Sequence, residues 1–148
     1  MSTYTQIIYH LIFSTKYRER TLSTDNRPQL FRYAWGTLKG LKCHPYCING
    51  IEDHIHMATH VHPSIALSDL IKNVKLLSTS FIKRDRLFKN FQGWQDGYAA
   101  FTCSYKDKDR LIDYIKNQES HHARIGFIEE LVSLLREHGV EYDEKYLL

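Results

Sequence analysis

Apolar residues along this chain shift between a beat of two and a beat of three to four, and each shift marks an element. Residues 4–14, YTQIIYHLIFS, are rich in β-branched and aromatic side chains and predict a first strand. A basic loop, TKYRER, follows. From about Ser23 to Leu41 the residues Leu30, Tyr33, Ala34, Thr37, Leu38 and Leu41 recur at three-and-four spacing, which predicts a helix with Gly40 near its end. CHPYCINGI and HIHMATHV predict two strands joined by a tight turn over Ile51–Asp53. Pro63 stops the second strand, and Ser64 is placed to cap a helix that runs to about Phe88. Its apolar face holds Ile65, Leu67, Leu70, Ile71, Val74, Leu77, Phe81 and Ile82. FQGWQDG is a loop and YAAFTCS a fourth strand. A third helix is expected from about Asp107 to Arg124. Gly126 breaks it, and a fourth helix runs to about His138.

The order β-α-β-β-α-β followed by helices is the split βαβ, ferredoxin-like plan that RNA-recognition domains also use. The expected fold is therefore α+β: one antiparallel sheet with two helices on one face. Its other face is left for function or for the C-terminal helices. A single domain over residues 1–148 is expected, with a core from about 4 to 125 and a C-terminal helix and tail from about 126 to 148. The plan alone names no function, since many share it.

Composition adds little, but the distribution of charge adds more. The three cysteines, Cys43, Cys47 and Cys103, suit no disulfide framework, and a reducing cytoplasm fits them best. The sequence offers no secretion signal and no stretch of transmembrane length, so no membrane partner is expected. Net charge is +3, yet residues 1–106 carry 14 basic and 7 acidic side chains, while residues 107–148 carry 6 and 10. A basic body with an acidic C-terminal region suits a polyanion held by the body.

The segment EDHIHMATHVH sets His54, His56, His60 and His62 on a two-residue beat. On a strand, residues i and i+2 share a face about 7 Å apart. Two imidazoles so placed can share a metal ion, with Ile55 buried behind them. His60 and His62 have the same geometry, and periodicity does not choose between the pairs. In DYIKNQESHH, Tyr114, Gln118 and His122 are spaced by four, on one helix face.

The combination DHIHM, WQDGYAAFTCS, YIKNQESHH and EYDEKYLL, in that order and with YHLIFSTKYR near the start, resembles the single-tyrosine HUH transposases of the 200/605 insertion-sequence group. The resemblance covers essentially the whole chain. It implies a metal-dependent enzyme that cuts and rejoins single-stranded DNA, recognises imperfect hairpins at element ends and works as a homodimer in a prokaryotic cytoplasm, with the tyrosine helix free to act in cis or in trans on the partner's histidine pair. It also separates the histidine pairs, because the family HUH follows an aspartate just after the turn, as at Asp53. Residue by residue it implies Tyr114 as nucleophile, with His54, His56 and Gln118 as metal ligands. His60 and His62 match no catalytic position. His121 and His122 belong to the family pattern without a role, although His122 can compete as a ligand.

A phenol with a pKa of about 10 is a poor nucleophile until a divalent ion polarises the phosphate it attacks. Attack by tyrosine stores the phosphodiester as a 5′-phosphotyrosine, which a second 3′-hydroxyl can reverse; that suits strand transfer. Mg²⁺ is the expected ion through its abundance, with Mn²⁺ as substitute. DNA contacts are expected from Lys16, Arg18, Arg20, Lys83, Arg84, Arg86 and Lys89 to phosphates, and from Tyr17 and Trp94 by stacking. The amphipathic segment GFIEELVSLLREHG and strand YAAFTCS are candidates for a dimer interface. Two rivals stay open: a hairpin-binding or domesticated relative without chemistry, and a histidine-rich metal-binding module. Neither accounts for the Tyr114–Gln118 spacing.

Overall fold

A computed structural model describes residues 2–147. Four strands, β1 (Ile8–Ser14), β2 (His44–Gly50), β3 (His54–His60) and β4 (Ala99–Cys103), form one antiparallel sheet in the order β2-β3-β1-β4. That is the ferredoxin-like order expected. β1 begins four residues later than its composition suggests.

Alternation along the strands builds two different faces. Leu11 and Phe13 of β1 stand opposite Met57 and Ile55 of β3. These four join Leu30 and Leu38 of α1 (Arg27–Gly40) and Leu70, Ile71, Val74, Phe81 and Ile82 of α2 (Leu67–Arg84) in the main core. Helix α2 does not start on a serine cap. Its N-cap is Ala66, and Ser64 turns back to His62, Oγ to Nδ1 2.6 Å. The helix also ends at Arg84, short of Phe88: Arg86 takes a left-handed φ of 50° and the Leu87 amide closes onto the Ile82 carbonyl.

The second face carries His10, Ile12 and Ser14 of β1 beside His54 and His56 of β3. Two elements cover it. The first is α3 (Lys108–Lys116), whose Ile115 packs on Cys47 and Ala58. The second is α5 (Phe127–Glu137), whose Phe127, Leu131, Leu134 and Leu135 pack on Ile12 and Phe101. The apolar stripe of GFIEELVSLLREHG formed by Phe127, Leu131, Leu134 and Leu135 thus packs within its own chain. β4 remains a sheet edge.

The helix expected over 107–124 is two helices. α3 ends at Lys116 and α4 (Gln118–His122) begins after Asn117. The cause lies on β2: Asn49 Nδ2 donates to the carbonyls of Ile115 at 2.9 Å and Lys116 at 3.2 Å. Capping those carbonyls from the side takes them from the helical ladder. Among the described residues no helix is long and apolar enough to cross a membrane.

Candidate metal and tyrosine site

Between α3–α4 and α5, over the middle of the sheet, the side chains converge on one carboxylate. Glu130 of α5 is 1% exposed. Its Oε1 lies 3.3 Å from His54 Nε2, 3.1 Å from His56 Nε2 and 2.9 Å from His122 Nε2. Its Oε2 accepts from the Tyr114 hydroxyl and, at 3.0 Å, from Gln118 Nε2. His121 Nε2 comes within 3.3 Å of the same oxygen, without hydrogen-bond alignment. His54, His56 and Gln118 are wholly buried, and Tyr114 is half-buried.

The electrostatics follow from burial and this hub. Burial opposes ionisation of Glu130, but His122, His54 and His56 overcome it and hold the carboxyl far below its usual range. Burial and Glu130 together push the Tyr114 phenol well above its ordinary value. The resting pair is therefore carboxylate and phenol. Burial takes His56 down to about 4 against the pull of Glu130. Burial also works against a charged His54, yet Asp53, whose Oδ1 is 2.6 Å from His54 Nδ1, and Glu130 raise it.

Four of these residues, His54, His56, His122 and Glu130, offer ligand atoms all within 4.8 Å of one another. Donors bonded at about 2.1 Å to one ion stand about 3.0–3.4 Å apart, and the nitrogen–Oε1 separations of 2.9–3.3 Å fit that spacing. The group can hold a metal ion. Gln118 Oε1, 3.3 Å from His54 Nε2, meets the same spacing.

Sequence reasoning brought Tyr114, His54, His56 and Gln118 together, and the structure sets them in contact around Glu130 within a single chain. It missed Glu130. The available signal was an acidic residue inside an apolar stripe, between Phe127 and Leu131–Leu134. His122, expected to carry no catalytic role but to compete as a ligand, stands among the ligand atoms. His60 and His62 lie elsewhere: His60 Nδ1 accepts from the Ile7 amide at 3.0 Å. Trp94 is not a stacking surface, because it is buried edge-on against Phe13 at 4.9 Å with its indole N–H on Ser78.

The basic loop meets the site end of the sheet. Ser14 pairs with His54, and the Thr15 amide donates to the Asp53 carbonyl. Lys16 and Tyr17 are exposed there, with Tyr17 and Arg18 both in the left-handed region. Arg20 pairs with Glu52 at 3.0 Å and lines, with Arg27, Glu119 and His122, a cleft of about 370 Å³ beside the site. Lys83 and Arg84 end α2, which packs on the opposite sheet face.

The sequence model of the IS200-like transposases matches residues 3–118. The chain belongs to this transposase family. Relatives include the transposase for insertion sequence element IS200 of Salmonella typhimurium, 27% identical over 120 residues, which span 74% of this chain and 75% of the relative. The ISDra2 transposase TnpA of Deinococcus radiodurans is 26% identical over 121 residues, 76% and 84% of the two chains. Among solved structures, a REP-associated tyrosine transposase bound to a REP hairpin superposes with a TM-score of 0.61 at 17% identity, covering 84% of this chain and 76% of the other. A candidate transposase from Deinococcus radiodurans gives 0.59 at 22%, covering 80% and 95%. At those identities the two structures speak for the fold. The family match ends at Gln118, so His122 and Glu130 of this transposase lie beyond it.

Proposed function

We propose that this transposase cuts and rejoins single-stranded DNA through a 5′-phosphotyrosine on Tyr114, at sites recognised through DNA hairpins. The observation that carries the reading is the double use of Glu130. One oxygen faces three imidazoles, and the other accepts from the Tyr114 hydroxyl. The nucleophile is one carboxylate away from a set of metal-ligating atoms, which a histidine-rich binding module would not need. His54, His56 and Gln118 would hold the ion, joined by His122 and Glu130. Mg²⁺ is its physiological identity and Mn²⁺ the substitute; three imidazoles favour Mn²⁺ in affinity.

The chemistry such an ion supplies is neutralisation of a non-bridging phosphate oxygen, which makes phosphorus accessible to a weak nucleophile. The chain supplies the rest. Tyr114 Oη attacks in line, its proton passes to Glu130 Oε2, the Oη–phosphorus bond forms, and the bond to the DNA 3′-oxygen breaks. That oxygen leaves as a 3′-hydroxyl after protonation by solvent. A second 3′-hydroxyl reverses the step on a new strand and returns the proton to Tyr114. Because the resting site keeps Glu130 ionised and the phenol protonated, the transfer belongs to the substrate-bound state. Lys16, Arg18 and Arg20 follow the backbone at the site rim, Tyr17 stacks on an unpaired base, and Lys83 and Arg84 contact more distant phosphates. Two such chains form the working homodimer, each with Tyr114 acting in cis.

The test is covalent trapping. Single strands from the flanks of the transposase's own gene, labelled 3′ of each candidate cut, are incubated with protein and Mg²⁺ or Mn²⁺. An adduct on the Tyr114 peptide, lost with EDTA, Tyr114→Phe or His56→Ala, is expected. Hairpin binding with an occupied metal site and no adduct on any strand would refute the proposal in favour of a non-catalytic relative.

A further inference from the structure

His10 is a buried polar residue in the middle of β1, flanked by apolar residues; it is 4% exposed. It shares the sheet face of His56 on the neighbouring strand. Its Nε2 lies 2.7 Å from His56 Nδ1, and the two rings stack at 5.0 Å and 27°. Phe101 at 6.2 Å and Tyr114 at 5.9 Å hold its other sides.

A histidine that ligates through Nε2 must carry its ring hydrogen on Nδ1, and something must accept that hydrogen. The Nε2 of His56 faces the ligand cluster, so Nδ1 is the back of the ring. For His54 the same place is filled by the Asp53 carboxylate. For His56 it is filled by His10 alone among the described side-chain partners.

We propose that His10 is a positioning residue of the metal centre, holding the His56 ring in the orientation and tautomer in which Nε2 can ligate. The inference rests on the metal-centre reading above. An imidazole suits the task in a way a carboxylate does not. With an ion bound, His56 Nδ1–H donates to His10 Nε2. With none, His10 Nε2–H can donate to His56 Nδ1 while His56 Nε2–H points at Glu130. The two strand histidines therefore differ: His54 is backed by an anion and His56 by a neutral ring.

The test is calorimetric titration of Mn²⁺ into the metal-stripped full chain, with melting in EDTA as a folding control. Four proteins are compared: wild type, His56→Ala, His10→Phe and His10→Gln. Phe keeps the stacking and loses the acceptor, whereas Gln keeps an amide that can accept or donate. Expected are loss of binding for His56→Ala, about 10–100-fold weaker binding for His10→Phe, and near-wild-type affinity for His10→Gln. Wild-type affinity in His10→Phe, or equal weakening in both His10 variants, overturns the proposal while the metal centre stands. No uptake by wild type, or undiminished uptake by His56→Ala, overturns the metal centre and His10's role with it. Should His10→Phe not fold, the ring ¹⁵N spectrum of Zn²⁺-loaded wild type decides. A proton on His56 Nδ1, coupled across the hydrogen bond to His10 Nε2, supports the proposal; a bare Nδ1 overturns it.

Discussion

Replacing Glu130 by glutamine exchanges one oxygen for nitrogen in a side chain that is 1% exposed. The carboxylate presents acceptors in two directions: Oε1 to His54, His56 and His122, and Oε2 to Tyr114 and Gln118. An amide has one acceptor and one two-hydrogen donor, so with its NH₂ turned to Tyr114 and Gln118 it meets groups that were donating, and with its NH₂ turned to the imidazoles it meets whichever of them carries Nε2–H. A hydrogen bond to a charged group contributes about 1.5–3 kcal/mol, and removing one partner from a buried ionic network costs about 3–5 kcal/mol. Three imidazoles share one oxygen, so the separate contributions overlap and the network figure is the better guide. Urea unfolding in EDTA at neutral pH is expected to show a loss of about 3–5 kcal/mol for Glu130→Gln. The exposed neighbour Glu129 serves as control, with Glu129→Gln expected within about 0.5 kcal/mol of wild type. A second arm follows the Tyr114 ring by ¹³C-labelled tyrosine. Since Glu130 helps push that phenol up, its titration should move down toward the ordinary value in the variant. A stability loss below about 1 kcal/mol together with an unmoved Tyr114 titration would refute the hub.

Gly50→Ala sets a Cβ against the His54 carbonyl oxygen and Ile55, where neither backbone can yield cheaply. A loss of about 1–3 kcal/mol in thermal melts and weakened Mn²⁺ binding are expected. Asn49→Ala uncovers the Ile115 and Lys116 carbonyls, so hydrogen exchange over residues 117–122 should accelerate, with stability falling about 1–2 kcal/mol. Metal-free protein should also lose stability in mild acid. His10 and His56 are held neutral, at about 3 and about 4, whereas the unfolded chain protonates near the ordinary value of 6.5. Below that value the unfolded state binds more protons, so each costs about 2 kcal/mol by pH 5, one and a half units down. His54, whose pKa is raised, opposes them with stability that is present below 6.5 and lost as pH rises through its folded value. The net expectation is a lower melting temperature at pH 5 than at pH 7.5, and a shallower drop in His56→Ala. Equal slopes for the two proteins would contradict the burial argument.

Local pattern was enough for the strands, for the place of the helices in the chain and for the sheet plan, but not for where α2 ends or for the break between α3 and α4. Alternation set Leu11, Phe13, Ile55 and Met57 on one face and the histidines on the other, because a strand's two-residue period leaves no other choice. The choice of His54 and His56 over His60 and His62, and the pairing of Tyr114 with Gln118, came from the resemblance to the transposase family, whose motifs are short and each lie on or next to one element. What local pattern does not contain is partnership across long separations. The break at Asn117 depends on Asn49, more than sixty residues earlier. Trp94 reads as a surface aromatic in a polar loop until Phe13 and Ser78 enclose it. Glu130 and His10 read as a helix-face acid and a strand histidine. Only the docking of α5 across the sheet gives Glu130 three imidazoles and a phenol, and only the pairing of β1 with β3 puts His10 behind His56. Which side chains are on hand for chemistry follows from the order of residues alone. Which of them meet depends on the packing of distant elements, because a buried charge persists only where those elements supply its partners together.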